Sequence, residues 1–391
     1  MDSTSKQDRK LTVLVIAPFV WTMGEGKGMP SAYNGLKGYV DAGHEVHLVI
    51  GTNNRGMQPK LTYNGIHAHY FYMPITFFSQ SFGISKSPFA MKASSNKFIN
   101  YLAMRWFFLI FILKAAMTSF KVAKQIQPDL VYGFTSYGAP VSYLISKIFG
   151  IPNVNREFGT FLYDVINKPL SLLARWLDLL VFIIPCSLLV VTNDGTQGDL
   201  VAKKLKIPMS RLKFWINGIN KGIYDPTISA KHLKNKLGIS QQTKIVLALS
   251  QLVHWKRLDR LINLIPYVVE ENKNVIFLIV GDGSERNNLE FLAKTLKVTK
   301  YVRFVGSVPY EEVKYYFNST DIFVSLNETS NLSNPLLEAM VCGKPIIALN
   351  TGGTGTVIKD GETGFLVDPD NIQLVPSLIL KLLEDSNLRD R

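Results

Sequence analysis

The feature that most constrains this chain is an alternation that runs, stops and starts again. Short apolar segments predict strands at 11–17, 45–50, 66–72, 130–132, 153–155 and 188–192, with helical stretches at 31–41 and 97–127 among them. A turn-rich connection, Asn217-Gly-Ile-Asn-Lys-Gly222 and then Pro226, interrupts the pattern. It resumes with strands at 245–249, 275–280, 302–304, 322–326 and 345–348 and helices at 257–271, 285–296 and 335–341. Apolar strands separated by helices build parallel sheets covered on both faces. The expectation is an α/β protein of two doubly wound, Rossmann-like domains, 1–222 and 223–391, facing a cleft at the carboxyl ends of their strands, where such sheets bind ligands. A chain of 391 residues is too long for one ordinary core and long enough for two.

Charge narrows the partners. The formal net charge is +13, and no acidic residue stands between Glu45 and Asp129. That stretch carries nine cations, among them Lys86, Lys92, Lys97, Arg105, Lys114, Lys121 and Lys124, interleaved with aromatics such as Phe77, Phe78, Phe82 and Trp106. A basic, aromatic, acid-free segment suits an anionic membrane surface. No aromatic ladder or zinc knuckle accompanies it, so no nucleic-acid partner is expected.

The run Trp106–Leu113 has only eight apolar residues between Arg105 and Lys114, and Leu179–Val191 is broken by Pro185; neither is expected to cross a bilayer. The first ten residues are polar and do not resemble a signal peptide. Two distant cysteines, Cys186 and Cys342, fit buried reduced thiols. The expected location is therefore cytoplasmic, peripheral at the inner face of the membrane.

Four motifs carry possible chemistry. Gly24-Glu-Gly-Lys-Gly28 follows the first strand, where Gly26 and Gly28 would let backbone amides approach a phosphate. Val280-Gly-Asp-Gly-Ser-Glu285 is a tight strand-to-helix passage that needs glycine without any ligand. Lys256 and Arg257 fall just beyond the first strand of the second half, a helix start where cations oppose the dipole and so hint at function. In Asn331-Leu-Ser-Asn-Pro-Leu-Leu-Glu338, Asn334 is expected to cap a helix, Pro335 to open it, and Glu338 to lie one turn inside. His67 and His69 share one face of a strand, but no third ligand stands near them in sequence. They are assigned to a surface, and no metal is expected.

Taken in order, these segments resemble the retaining glycosyltransferases of family 4, which have the GT-B fold. The most specific stretch is Asn-Pro-Leu-Leu-Glu-Ala-Met-Val-Cys-Gly-Lys-Pro-Ile-Ile-Ala from Asn334 to Ala348, followed by Thr351-Gly-Gly353 and Asp360-Gly-Glu-Thr-Gly-Phe-Leu-Val367. The resemblance implies a nucleotide sugar as co-substrate, no resident cofactor, no metal, and a lipid-linked or cell-envelope glycan as acceptor. It makes Lys256, Arg257 and Glu338 the catalytic set, with Lys256 on the diphosphate and Glu338 on the ribose. Gly26, Gly28, Gln251, Ser330, Asn331, Leu332 and Asn334 complete the donor-binding set. It also implies a further helix beyond Arg391.

Three positions depart from the family pattern. Gln251 stands where an arginine is usual, Ser330 where a glutamate is usual, and Phe158 where a histidine is usual. Arg257 or Arg156 is expected to compensate for the missing cation, and Asn331 to take over sugar contacts. The same departures support an alternative from another class, a non-catalytic sugar-nucleotide-binding or partner subunit that keeps the fold.

Overall fold

The computed structural model describes residues 9–18, 30–52, 54–73, 97–225, 227–329 and 331–391. Its contacts divide the chain into two units. Among the described residues, one holds those up to Thr192 together with Gln197–Gly218; the other holds Asn193–Thr196 and Ile219–Arg391. The division falls after Gly218, four residues before the boundary read from sequence. A short segment beyond the strand at 188–192 also belongs to the second unit, which the sequence does not hint at.

The first unit has an eight-stranded sheet in the order β3-β4-β2-β1-β5-β6-β7-β8. The strands are β1 Thr12–Ala17, β2 Glu45–Thr52, β3 Lys60–Tyr63, β4 Ile66–Tyr72, β5 Leu130–Phe134, β6 Asn153–Glu157, β7 Leu188–Thr192 and β8 Leu212–Trp215. All pair in parallel except β3, which forms an antiparallel hairpin with β4. Asn64 (φ 48°) and Gly65 (φ 82°) make its two-residue turn, the left-handed pair that matches strand twist. The central strands are buried on both faces. Val13, Val15 and Ala17 face one core with Leu36, Val46 and Leu48, while Leu14 and Ile16 face the other with Phe111, Ala115 and Val141.

The second unit has a six-stranded, wholly parallel sheet in the order β11-β10-β9-β12-β13-β14. These strands are β9 Lys244–Leu249, β10 Val275–Val280, β11 Val302–Gly306, β12 Ile322–Ser325, β13 Ile346–Leu349 and β14 Phe365–Val367. From β9 the chain winds outward to β10 and β11, then returns beside β9 as β12. The reversal opens a crevice beyond the carboxyl ends of β9 and β12, the place where doubly wound sheets bind ligands. β10, Val-Ile-Phe-Leu-Ile-Val, is buried at every position, the signature of a strand covered on both faces.

The apolar run around Phe107, within the helix expected at 97–127, is longer than the eight residues read from sequence. It belongs to one continuous helix, Lys97–Ile126, in which Leu102–Ile126 is long and apolar enough to cross a membrane by length and composition alone. Lys114 does not end the run, because its Nζ donates to the Tyr72 carbonyl. The helix packs on the first sheet instead. Phe107, Phe111, Ala115, Val122 and Ala123 are buried against it, leaving Trp106, Leu109, Leu113 and Met117 outward on the opposite stripe. The run at 179–191 divides at Pro185 into the helix Trp176–Ile183 and β7. Both cysteines are unpaired and buried, and burial pushes the Cys342 thiol up to about 11.

Candidate functional site

Among the described residues, backbone bonds join the loops after β9, β10 and β12 along the carboxyl edge of the second sheet. Ser250 N–H donates to the Val280 carbonyl and Leu252 N–H to that of Asp282, so the loop after β9 lies along the loop after β10. The glycines permit this. A Cβ on Gly281 would stand 1.9 Å from the Ser250 oxygen, and one on Gly283 2.3 Å from the Leu252 oxygen. The structure thus supports the plain reading of Gly281-Asp-Gly283 as close-approach glycines. On the other side, Glu328 N–H donates to the Trp255 carbonyl at 3.1 Å, tying the loop after β12 to the segment that carries Lys256.

Lys256 ends a single turn of 3-10 helix, His254–Lys256, and is 9% exposed. Burial holds its ammonium down to about 8, with partial relief from the Asp194 carboxylate. Asp194 is itself buried, and its Oδ1 accepts from the amide (3.1 Å) and hydroxyl (2.6 Å) of Thr196. Its carbonyl accepts from Leu332 N–H at 3.1 Å. Sequence reading missed this segment. Gly195, at φ 92°, would place a Cβ 2.7 Å from the Gly352 oxygen and 2.9 Å from Asn331 N. The glycine pair after β13 and the glycine at 195 therefore meet backbone to backbone, beside the residues expected to hold a donor.

Arg257 departs from expectation. It sits at φ 46°, and its Nε and Nη2 each donate to Asp259 at 3.0 Å while Nη1 donates to Glu328 at 2.9 Å. Those two carboxylates raise its pKa further and engage its guanidinium, so that Arg257 braces the loops after β9 and β12. Arg156, the other expected substitute, belongs to the first unit. There it stacks over Phe158 at 4.6 Å and donates to Asn217 Oδ1 at 3.3 Å.

The remaining residues divide. Gln251 is exposed on the loop after β9. Asn331 is 3% exposed; its Nδ2 donates to Thr351 Oγ1, and its Oδ1 is buried with no hydrogen-bond partner among the described residues. Leu332 is wholly buried in the core beneath, so its side chain is structural and only its main chain lines the edge. The helix is Asn334–Val341, with Ser333 in the cap position making no side-chain cap bond; Asn334 is already the first helical residue, not the cap. Glu338 is 3% exposed rather than solvated. Burial raises its carboxyl to about 7 despite a hydrogen bond from Tyr310 that pulls the other way. Gly26, Gly28 and Ser330 lie outside the described residues.

The assignment of His67 and His69 to an open strand face also needs correction. β2 lies beside β4, and that pairing sets His47 next to His67, so Glu45 and a third imidazole stand where the sequence offers none nearby. His47 and His69 are both buried.

Comparison with known proteins places this geometry. Residues 229–391 match the family model for glycosyl transferases group 1, which spans nearly the whole second unit. A UDP-Gal:alpha-D-GlcNAc-diphosphoundecaprenol alpha-1,3-galactosyltransferase of Escherichia coli is 22% identical over 285 residues, covering 72% of this chain and 73% of the relative. N-acetyl-alpha-D-glucosaminyl L-malate synthase of Bacillus anthracis is 32% identical over 156 residues, 40% of each protein. Across these relatives the matched share of the relative thus runs from under half to about three-quarters. Among solved structures, sucrose-phosphate synthase from Thermosynechococcus elongatus superposes with a TM-score of 0.73 at 15% identity, covering 97% of this chain and 92% of that one. Anabaena HepE in complex with UDP and glucose superposes with a TM-score of 0.67 at 19% identity over the same shares. The fold is GT-B, and residues 229–391 carry the likeness to the glycosyl transferases group 1.

Proposed function

We propose that this protein is a retaining glycosyltransferase of the family 4 type, taking a nucleotide sugar as donor and a lipid-linked or cell-envelope glycan as acceptor at a membrane surface. The observation that carries the reading is Lys256, a buried lysine at the switch point of the second sheet whose pKa lies near 8. An ammonium withdrawn from water acts strongly on charge that develops beside it, and the leaving group here is a nucleoside diphosphate. Lys256 stabilises that diphosphate as the glycosidic bond breaks, and no metal or resident cofactor takes part.

The neighbours divide the rest of the donor. The amino end of the helix Asn334–Val341 favours phosphate charge. Glu338 accepts from the ribose hydroxyls, and the unpartnered Oδ1 of Asn331 accepts from a sugar hydroxyl. Gln251 borders the same place, while Gly26, Gly28 and Ser330, outside the described residues, are assigned to the donor by the family resemblance alone.

The membrane term rests on the outward stripe of the helix Lys97–Ile126. Trp106, Leu113 and Met117 are each more than 60% exposed, in a stretch with no acidic residue. Aromatic and aliphatic side chains enter the interface while lysines meet anionic headgroups. The lipid-linked acceptor named for the Escherichia coli relative suits such a surface. Two reduced, buried thiols suit its cytoplasmic side.

A binding subunit without activity is the second reading. It is favoured by Arg257 being engaged with two carboxylates and by Gln251 lacking charge. The deciding experiment screens nucleotide sugars by thermal shift, then measures slow donor hydrolysis without acceptor. Hydrolysis that Lys256→Ala abolishes supports the transferase; tight binding with no turnover supports the subunit. Nuclear magnetic resonance of the first-formed product reads the anomeric configuration, and inversion would refute retention.

A further inference from the structure

We infer that the first unit carries a divalent transition-metal site formed by Glu45, His47 and His67, at the amino ends of two paired parallel strands. Among the described residues this is the one group of three or more histidine, cysteine or acidic side chains whose ligand atoms converge, all lying within 4.8 Å of one another. Strand pairing creates it. His47 and His67 are register partners on β2 and β4, and Glu45 lies two residues before His47 on the same face.

The hydrogen bonds around the group leave the right atoms facing inward. His67 Nδ1 lies 3.0 Å from Thr62 Oγ1 on β3, and His47 Nδ1 lies 3.0 Å from His69 Nε2. When each Nδ1 carries its proton and donates outward, the Nε2 lone pairs of His47 and His67 are left for a cation. Outer hydrogen bonds that fix the tautomer of a ligating histidine are the usual support of such sites. In that tautomer His47 Nε2 faces Glu45 Oε1 at 2.9 Å, a lone pair beside a carboxylate, which a cation in contact with both would satisfy. Two ligands bound at about 2.0–2.1 Å in a tetrahedron stand roughly 3.3 Å apart, so that pair is already near its coordinating separation. The His67 ring is stacked on His47 with centroids 4.9 Å apart and is half-buried, so a small rotation brings its Nε2 into the same sphere.

The donor set selects the ion. Two imidazoles and one carboxylate suit zinc and its first-row neighbours, not calcium or magnesium. Three protein ligands leave a fourth position for water on the half-exposed side of Glu45 and His67. Opposing charges are present: Lys10 Nζ is 3.8 Å from Glu45 Oε2, and Lys60 pairs across from His69. They weaken the affinity without blocking the site, since Lys10 is a solvated side chain free to swing away. The ion would fasten β2 to β4 at their amino ends.

The rival occupant is a proton. His47 Nε2–H donating to Glu45, with His69 Nε2–H donating to His47 Nδ1, satisfies the same distances with no metal. Full-length, tag-free protein titrated with Zn²⁺ against a chromogenic chelator separates the two. The metal site predicts one equivalent bound by wild type, and at least about tenfold weaker binding by both His67→Ala and Glu45→Gln. Co²⁺ should give the intense visible bands of a four- or five-coordinate nitrogen–oxygen site in wild type, and these should vanish in both variants. His67 and Glu45 lie outside the core, so both variants should fold, which circular dichroism checks. Failure of wild type to hold one equivalent, or retention of unchanged affinity by both variants, would assign the cluster to a proton relay and overturn the site.

Discussion

Glu338→Gln is the perturbation whose size the structure allows to be worked out. An ordinary glutamate titrates near 4.5, and burial lifts this one to about 7. At roughly 1.4 kcal/mol per pH unit, that holds about 3 kcal/mol against the ionised form in the folded protein. The folded pKa lies above the unfolded one, so the folded state binds the proton more tightly. The penalty is absent below about pH 4.5, grows as pH rises to about 7, and stays constant above. Glutamine keeps the shape and still accepts from Tyr310, but carries no penalty. The variant should therefore match wild type near pH 4 and exceed it by up to about 3 kcal/mol at pH 8. Donor binding should move the opposite way. With a pKa near 7, about a tenth of the carboxyls are ionised at pH 6 and about nine-tenths at pH 8, so wild-type affinity for a ribose donor should rise about ninefold between them. Glu338→Gln should remove that dependence and weaken the donor at least about tenfold at pH 8, the loss of one charge-assisted contact. It should also narrow the gap between the nucleoside diphosphate and its 2′-deoxy analogue. Denaturant unfolding at three pH values and calorimetry at two provide the readouts. Parallel pH profiles of stability in the two proteins would refute the burial argument. Equal binding of both nucleotides by both proteins would refute the ribose assignment.

Further outcomes are expected elsewhere. Lys256→Ala should lower turnover far more than donor affinity, because its charge acts on the departing diphosphate. Lys256→Met should raise stability at pH 7, where the folded pKa near 8 keeps a buried ammonium charged, and the gain should fade as pH approaches 10.5; equal stability at both pH values would count against its burial. Gln251→Arg should raise donor affinity or activity if that exposed position still borders the diphosphate, and no change would mean that other cations have taken its place. Gly195→Ala forces a Cβ to within 2.7 Å of the Gly352 oxygen at a left-handed backbone, and should lower the melting temperature together with donor binding. The protein should sediment with anionic liposomes more than with neutral ones, less so in high salt, and Leu113→Glu should weaken it; indifference to lipid charge would refute the interface.

Several features of the chain are written in local pattern. The repeated run of apolar strand and helix is enough for two parallel sheets, since a strand such as Val-Ile-Phe-Leu-Ile-Val275–280 satisfies itself only when buried on both faces. The order of the glycine and Asn-Pro-Leu-Leu-Glu motifs points to the glycosyltransferase group, and the step from β9 to Lys256 fixes that lysine near a strand end. What sequence spacing does not encode is which strands are neighbours. β12 returns beside β9, and only that pairing lets Glu328 bond Arg257 and draws the loop after β12 against Trp255. Asn193–Thr196 joins the second unit for the same reason, through contacts with residues well over a hundred positions later. Burial, a property of everything packed around a residue, then turns Glu338 from a solvated helical acid into one that titrates near neutrality. On the first sheet, β2 beside β4 makes three scattered residues, Glu45, His47 and His67, into one cluster, because proximity across a sheet is decided by strand order and not by distance along the chain.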